Sequence, residues 1–222
     1  MSTVDVWLLA VPPGAGDDPA VLGLLSPAER LRVAGMEHPA VRAGSAAARA
    51  AARIVLGRLL GQAPGDVGLE SEGRPLVSDA SGVPSGVWVS WSHSGGWVAL
   101  ATSRHPVGID IEQVPERLPA RGLAFLGVAS LDEFAGLEAA SKATGCAFGG
   151  RWPPGISWRR LAAPAGYVAA VAAPGERWDI EVHRRSPLDT VPAEPGPSDA
   201  RVLSPPEALC YARPRPMLIW GG

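Results

Sequence analysis

The sequence predicts an α+β protein built in two parts, because strand-like and helix-like segments mix in a similar way along both halves of the chain. With 222 residues, the chain can bury a sizeable core and has room for one large domain or two small ones. Helix-capping signals occur on both sides of the midpoint, and no short-period repeat is present. We expect one part over residues 1–105, a second over 106–185, and a proline-rich arm over 186–222.

The first part is predicted to begin with a strand over residues 4–11. Ser26-Pro27-Ala28-Glu29 then combines a serine cap, a proline at the first helical position and a glutamate three residues after the cap, which together form the capping-box signature of a helix start. A longer alanine-rich helix is expected over 39–60, with Gly61 as its stop. Residues 69–77 follow as an extended segment with an internal turn.

The last elements of the first part are two apolar strands separated by a polar segment. Residues 87–91 predict a short strand with aromatic content, and 97–102 predict another. Ser92-His93-Ser94-Gly95-Gly96 lies between them and is predicted to be a flexible loop at a strand end. His93 would project from this loop, where it could contact a ligand or cap a turn.

The second part opens with an acidic strand over residues 106–112. Gly108-Ile109-Asp110-Ile111-Glu112 alternates apolar and acidic residues, which places both carboxylates on one side of a strand and both isoleucines on the other. Without further evidence, the usual meaning of such a pattern is the solvated face of an edge strand.

A helix with unusual charges follows. Ser130-Leu131-Asp132-Glu133 forms another capping box, and Gly145 is expected to end the helix. Glu138 and Lys142 are four residues apart and share a helical face, and Lys142 is the one lysine beside nineteen arginines. They could be an ordinary exposed pair worth roughly 0.3 to 0.5 kcal/mol. Together with the acidic strand, they would also suit a divalent cation and a phosphate.

The remaining segments predict a hairpin, with strands over 167–173 and 177–183 joined at Pro174-Gly175. Cys146 and Cys210 are isolated, which argues against a zinc site or a disulfide framework. Cys146 could be a nucleophile, but a packing role for a free thiol is the commoner case.

Composition excludes several classes of function. The formal net charge is −2 and the isoelectric point is about 6.1, so the chain lacks the basic field expected of a nucleic-acid-binding protein. The N-terminus has no positively charged leader, and no apolar run is long enough to cross a bilayer. We therefore expect a cytoplasmic protein, active as a monomer, without a nucleic-acid or membrane partner.

Four blocks of sequence together resemble the 4'-phosphopantetheinyl transferase family, in its larger branch that acts on polyketide and peptide synthetase carriers. Gly73-Arg74-Pro75, Ser92-His93-Ser94-Gly95 and Gly108 to Glu112 match family blocks in the family's order. The fourth block, Phe134 to Lys142, is similar to the family's Trp-x-x-Lys-Glu-(Ala/Ser)-x-x-Lys helix but matches only in part. The likeness covers most of the chain, excluding about the last forty residues.

The resemblance implies a pseudodimer of two similar α+β halves, with coenzyme A bound in the cleft between them. It also implies transfer of 4'-phosphopantetheine from coenzyme A to a serine of an acyl or peptidyl carrier protein, with release of 3',5'-ADP. The implied magnesium ligands are Asp110, Glu112 and Glu138. Glu138 is the implied base, and Lys142 is implied to stabilise charge on the phosphate.

By the same resemblance, coenzyme A phosphates are expected to meet Ser92 and His93, with Arg74 near the nucleotide. Arg49 and Arg53, on the long helix, are candidates for the 3'-phosphate, because guanidinium groups grip phosphate oxygens in pairs. Either arginine could equally be solvated.

The chain also departs from the family pattern. Leu137 stands where the family has a lysine, which predicts one positive charge fewer near the phosphates, and Phe134 stands where it has tryptophan. The segment between Glu112 and Glu138 is shorter than is usual in this branch. The alternative function is therefore a related protein that has lost or changed the reaction, and that binds a carrier or acts on a carrier-tethered substrate.

Overall fold

The computed structural model describes residues 2–70, 75–79, 81–116, 120–146, 151–184 and 186–189. The predicted α+β class is confirmed for this part of the chain. The strands are β1 Ser2–Ala10, β2 Gly68–Glu70, β3 Leu76–Ser78, β4 Trp88–Ser94, β5 Trp97–Ser103, β6 Gly108–Gln113, β7 Ile156–Leu161, β8 Tyr167–Pro174 and β9 Trp178–His183. The helices are α1 Pro19–Gly23, α2 Pro27–Ala34, α3 Pro39–Leu60, α4 Ala120–Phe125 and α5 Leu131–Thr144, with single 3-10 turns at Pro64–Asp66 and Pro187–Asp189.

One strand-helix-strand-strand motif occurs twice in the chain. In the first motif β1, α3, β4 and β5 occur in this order, with α1 and α2 inserted before α3 and β2 and β3 inserted after it, and the strands are ordered β4-β5-β1 in the sheet. In the second motif β6, α5, β7 and β8 occur in this order, with α4 inserted before α5, and the strands are ordered β7-β8-β6. Neighbouring strands within each motif are antiparallel. The two motifs therefore share one topology, with the last strand of each in the centre.

The predicted hairpin between residues 167 and 183 is wrong, although both of its strands exist. β8 is flanked by β6 and β7, so neither of its edges is available to β9. β9 instead joins the first sheet, where it runs parallel to β1. Sequence reasoning also missed β7, whose Arg159 and Arg160 are exposed and give the segment a polar appearance.

The capping and stop signals of α2, α3 and α5 lie at the ends of these helices, as the sequence predicts. Ser26 and Glu29 form the reciprocal capping box at the start of α2, with distances of 2.7 and 3.2 Å. At α5 the box is altered: the Ser130 hydroxyl accepts from the Glu133 amide, but the Glu133 carboxylate accepts from the amide of Ala129. α3 ends at Gly61 and α5 at Gly145, and both glycines are left-handed, with φ of 66° and 70°.

The predicted loop at residues 92–96 is also corrected. β4 continues through Ser92, His93 and Ser94, and only Gly95 and Gly96 form the turn to β5. Two glycines suffice because a two-residue hairpin needs positive φ near its first position, and Gly95 has φ of 53°. The polar residues therefore occupy fixed strand positions.

Packing arranges the two sheets and the two helices in layers. One face of the first sheet packs on the alanines of α3, through Leu9, Val98 and Leu100. Its other face packs on the second sheet, where Val4 and Val6 lie in one cluster with Ile109 and Ile111. α5 packs on the far face of the second sheet. None of the helices in the described residues has the length and apolar character needed to span a membrane.

Candidate metal and phosphate site

Asp110 and Glu112 lie on β6, the strand at the edge of the second sheet that faces the first part of the chain. Ile109 and Ile111 are fully buried between the sheets, so both carboxylates point to the opposite face, toward α5. Asp110 is itself 0% exposed. This burial excludes the solvated edge-strand interpretation for Asp110, because a buried carboxylate must be paired or coordinated.

Glu138 and Lys142 meet this strand from α5. The Lys142 ammonium lies 2.6 Å from Asp110 Oδ1 and 3.7 Å from Glu138 Oε2. It also donates to the backbone carbonyl of Ile109, at 3.2 Å. Lys142 therefore bridges the helix and the strand, which an ordinary exposed i,i+4 pair does not do.

The three carboxylates converge on one point. An oxygen of Asp110, one of Glu112 and one of Glu138 all lie within 4.8 Å of one another. Burial, with the charge of Asp110, raises the pKa of Glu112 to about 7 and that of Glu138 to about 8. One lysine is thus too little positive charge to balance three neighbouring carboxylates.

Lys142 remains a cation at neutral pH. Burial acts to lower its pKa, but the carboxylates of Asp110 and Glu138 outweigh that effect and raise it. The side chain is 28% exposed, so the ammonium can still be approached from solvent. It is suited to contact an anion and unsuited to act as a base.

The residues of this cluster fit a hard divalent cation. Asp110 Oδ2 is buried and has no hydrogen-bond partner among the described residues. An orphaned buried carboxylate oxygen is costly unless something positive lies beside it. Carboxylate oxygens are the protein ligands that Mg²⁺ and similar ions prefer. A cation here would relieve both the orphaned oxygen and the mutual repulsion of the three carboxylates.

Of the two arginines predicted to bind the 3'-phosphate, Arg53 is engaged elsewhere. Its Nε lies 2.8 Å from Glu29, with both side chains 3% exposed, and it also donates to the carbonyls of Pro64 and Val67. This is a buried structural ion pair that fastens α2 to α3. The Nε and Nη1 donors of Arg53 are therefore engaged within the fold, and we assign Arg53 no phosphate contact.

Arg49 is buried too but remains partly unsatisfied. It donates to the carbonyl and the hydroxyl of Ser45, whereas its Nε is buried without a partner among the described residues. Burial lowers its pKa, an effect that Glu29 opposes. Arg49 therefore keeps an unpartnered Nε, whereas the Nε of Arg53 is held by Glu29.

His93 lies on β4, where it packs against α3. A Cβ at Gly44 of α3 would come 2.8 Å from His93 Nδ1, so glycine permits the close approach of the helix. Burial, with the charges of Arg49 and Lys142, lowers the pKa of His93 to about 4. The imidazole is therefore neutral at pH 7, and it can offer a phosphate one hydrogen bond but no charge.

Leu137 points away from the carboxylates. It is fully buried in a small apolar cluster with Leu123 and Val128. Its side chain belongs to the packing between α4 and α5, and the loss of one positive charge near the phosphates stays a prediction. Arg74 lies outside the described residues.

Sequence reasoning missed two residues beside the site, Ser90 and Ser94. Ser90, Ser92 and Ser94 alternate along β4 and all bond to β6. The sequence predicts Ser90 in a strand but Ser92 and Ser94 in a loop, although the period-two spacing of the three serines indicates one face of a single strand.

A second group of potential metal ligands, Asp5, Glu181 and His183, lies at the pairing of β1 and β9. His183 Nε2 is 2.8 Å from Asp5, and its ring stacks on Trp7 at 4.4 Å. The hydrogen bond to Asp5 and the stacking on Trp7 explain why His183 lies where it does.

Comparison of the chain with models of known protein families and with curated proteins finds no match.

Proposed function

We propose that the protein transfers 4'-phosphopantetheine from coenzyme A to a serine of an acyl or peptidyl carrier protein and releases 3',5'-ADP. The main support is the convergence of Asp110, Glu112 and Glu138 with Lys142. The repeated motif also agrees with a pseudodimer of two similar halves around a coenzyme A cleft. Carboxylates for a cation and an ammonium for a phosphate are the groups that displacement at a diphosphate requires.

Asp110, Glu112 and Glu138 are the residues that would hold Mg²⁺, and the bound ion supplies neutralisation of the diphosphate charge that repels an oxygen nucleophile. Lys142 contributes a second positive charge, carried on a side chain already held toward Asp110. A phosphate oxygen can approach the exposed part of this side chain. Its ammonium stabilises the charge that develops there.

Glu138 is the proposed base. The carrier serine forms a bond from its Oγ to the β-phosphorus, and the bond from that phosphorus to the bridging oxygen breaks. The bridging oxygen leaves with 3',5'-ADP, and the serine proton passes to the Glu138 carboxylate, directly or through a water. In the cation-free site, burial and the charge of Asp110 raise the pKa of Glu138 to about 8, and a bound cation would lower it toward the ionised form that can accept a proton.

Coenzyme A contacts are assigned to Arg49, Ser92 and His93. The unsatisfied Nε of Arg49 and the neutral imidazole of His93 lie on neighbouring elements, α3 and β4. They can donate hydrogen bonds to phosphate oxygens, although only Arg49 brings charge.

One observation favours the alternative, a related carrier-binding protein without transfer. Arg53 is tied to Glu29, so α3 offers less positive charge to a nucleotide than the sequence suggests. Such a protein would bind a carrier but would bind coenzyme A weakly.

Intact mass spectrometry separates the two functions. The protein is incubated with Mg²⁺, coenzyme A and each of several apo carriers, and the carrier mass is followed. Gain of one phosphopantetheine group, lost when EDTA is added, is the expected result. No mass gain on any carrier, together with no coenzyme A binding by calorimetry, would reject transfer and leave the alternative.

A further inference from the structure

Three serine hydroxyls join the edge strands of the two sheets. Ser90 Oγ accepts from the amide of Ile109 at 3.1 Å. Ser92 Oγ donates to Asp110 Oδ1 at 2.8 Å. Ser94 Oγ donates to Glu112 Oε2 at 3.1 Å. β4 and β6 belong to different sheets, so these side-chain bonds take the place of a backbone ladder. We call the three residues the serine row.

We propose that Ser92 and Ser94 are positioning residues for the cation site, each holding one oxygen of a carboxylate so that the other oxygen faces the ion. The oxygen that Asp110 presents is then Oδ2, and the one that Glu112 presents is Oε1. This inference rests on the proposed function, because it deepens the account of the same site.

The Asp110 carboxylate divides its two oxygens between different tasks. Oδ1 accepts from both Ser92, at 2.8 Å, and Lys142, at 2.6 Å. Oδ2 is buried, and no N–H or hydroxyl donor among the described residues reaches it, although the Glu138 carboxyl group hydrogen-bonds to Asp110 when it is protonated. Rotation of the carboxylate would break two bonds, one of them charge-assisted, so the orphaned oxygen is kept in place. An atom that is buried, charged and unpaired is the natural ligand of a cation.

The Glu112 carboxylate is oriented through a two-step relay. The amide of Gln113 donates to Ser94 Oγ at 3.0 Å, and this fixes a lone pair of the hydroxyl. The hydroxyl proton is then directed at Glu112 Oε2. The amide also polarises the hydroxyl, which strengthens the second bond. Ser94 therefore holds Glu112 in one direction, whereas a free glutamate samples several rotamers.

The serine row also couples the two parts of the chain. The ligands of the cation lie on the second motif, but the groups that orient two of them lie on the first. A shift of β4 along β6 would release both carboxylates at once. The cation site is therefore complete only when the two motifs are docked.

The test measures cation binding directly, with Mn²⁺ as the probe because its free concentration is read by electron paramagnetic resonance. Ser92→Ala and Ser94→Ala should each weaken Mn²⁺ binding about tenfold or more, as is typical when the partner of a metal ligand is removed. Ser90→Ala is the matched control, because Ser90 lies on the same strand face but bonds only to a backbone amide. Its Mn²⁺ affinity should stay within about twofold of the unmodified protein.

Two conservative variants separate positioning from packing. Ser92→Thr and Ser94→Thr keep the hydroxyl and should recover most of the Mn²⁺ affinity, whereas a merely structural defect would persist or grow with the added methyl group. Circular dichroism establishes that each variant is folded at the temperature of measurement.

Equal Mn²⁺ affinity in Ser92→Ala, Ser94→Ala and the unmodified protein would overturn the inference. An equal loss of Mn²⁺ affinity in Ser90→Ala, Ser92→Ala and Ser94→Ala would overturn it too. The serine row would then act only by holding β4 against β6. If the unmodified protein binds Mn²⁺ and the variants behave as expected but no carrier is modified, the proposed function fails and the positioning role stands. If the unmodified protein binds no Mn²⁺, both fail together.

Discussion

The two motifs of the chain share one topology but treat their buried charges in opposite ways. In the first motif, Arg53 of α3 pairs with Glu29, and both side chains are 3% exposed. In the second motif, α5 and β6 bring three carboxylates together around Lys142. The first arrangement is balanced in charge, and the second has an excess of negative charge.

This difference distinguishes a structural pair from a functional site. The Arg53–Glu29 pair neutralises its own charge and contributes to the fold, although Glu29 Oε1, like Asp110 Oδ2, is buried without a partner among the described residues. The cluster of the second motif has an unpaired buried oxygen, Asp110 Oδ2, and raised pKa values at Glu112 and Glu138. Its carboxylates repel one another, and a bound cation would relieve that repulsion. The two motifs share the same strand order, so topology alone does not distinguish the structural ion pair from the candidate site.

The largest expected effect is the loss of transfer in Glu138→Gln. Removal of the base should lower kcat roughly 100- to 10,000-fold, because Gln cannot take the serine proton and is a weaker cation ligand. Carrier modification is followed by intact mass under saturating coenzyme A. Glu133→Gln, earlier on the same helix, is the control and should keep its activity. Unchanged turnover in Glu138→Gln would remove that residue from the mechanism.

The balanced pair of the first motif should show the next largest effect, on stability. Arg53→Ala leaves the Glu29 carboxylate buried and unpaired, and should lower the free energy of unfolding by roughly 3 to 5 kcal/mol. Urea denaturation measures this change. Mn²⁺ affinity of the folded variant should be preserved. A loss of cation binding at full folding would show instead that Arg53 belongs to the site.

Sequence patterns indicated the charged residues of the second motif better than the buried pair of the first, although they missed β7, because those charged residues are paired locally in sequence. The alternation of Asp110 and Glu112 and the four-residue spacing of Glu138 and Lys142 each lie within one element, so periodicity reveals them. The pairing of Arg53 with Glu29 joins residues 24 positions apart, and no local pattern distinguishes Arg53 from Arg49.

Strand partners escaped prediction for the same reason. β8 and β9 were located correctly from their composition, but the partner of β9 is β1, at the opposite end of the chain. Ser92 and Ser94 of the serine row are predicted to lie in a loop because small polar residues favour turns, whereas in the structure they continue β4 and their hydroxyls bond to β6. Tertiary contacts override local propensity at both places.

The unbalanced cluster should also make stability depend on pH and on cations. The folded-state pKa of Glu138, at about 8, and that of Glu112, at about 7, both exceed the ordinary value of 4.5. Their protonated forms are thus favoured by folding, so the cation-free protein should lose stability as pH rises from about 4.5 to about 8. Melting temperatures measured in EDTA across this range check the sign. Added Mg²⁺ should reverse the loss at the alkaline end, and a flat profile in EDTA would contradict the assigned burial.

Glu112→Gln should have the smallest effect on stability, and it gives the sharpest contrast with Arg53→Ala in the first motif. Glu112→Gln removes one of three crowded carboxylates, keeps an oxygen for Ser94, and relieves repulsion with Asp110. The cation-free variant should therefore be at least as stable as the unmodified protein at pH 8, although Arg53→Ala is strongly destabilised under the same conditions. Its Mn²⁺ affinity should nevertheless fall, since a carboxylate ligand is lost. A large loss of stability in Glu112→Gln would mean that the second motif, like the first, uses its charges to hold the fold.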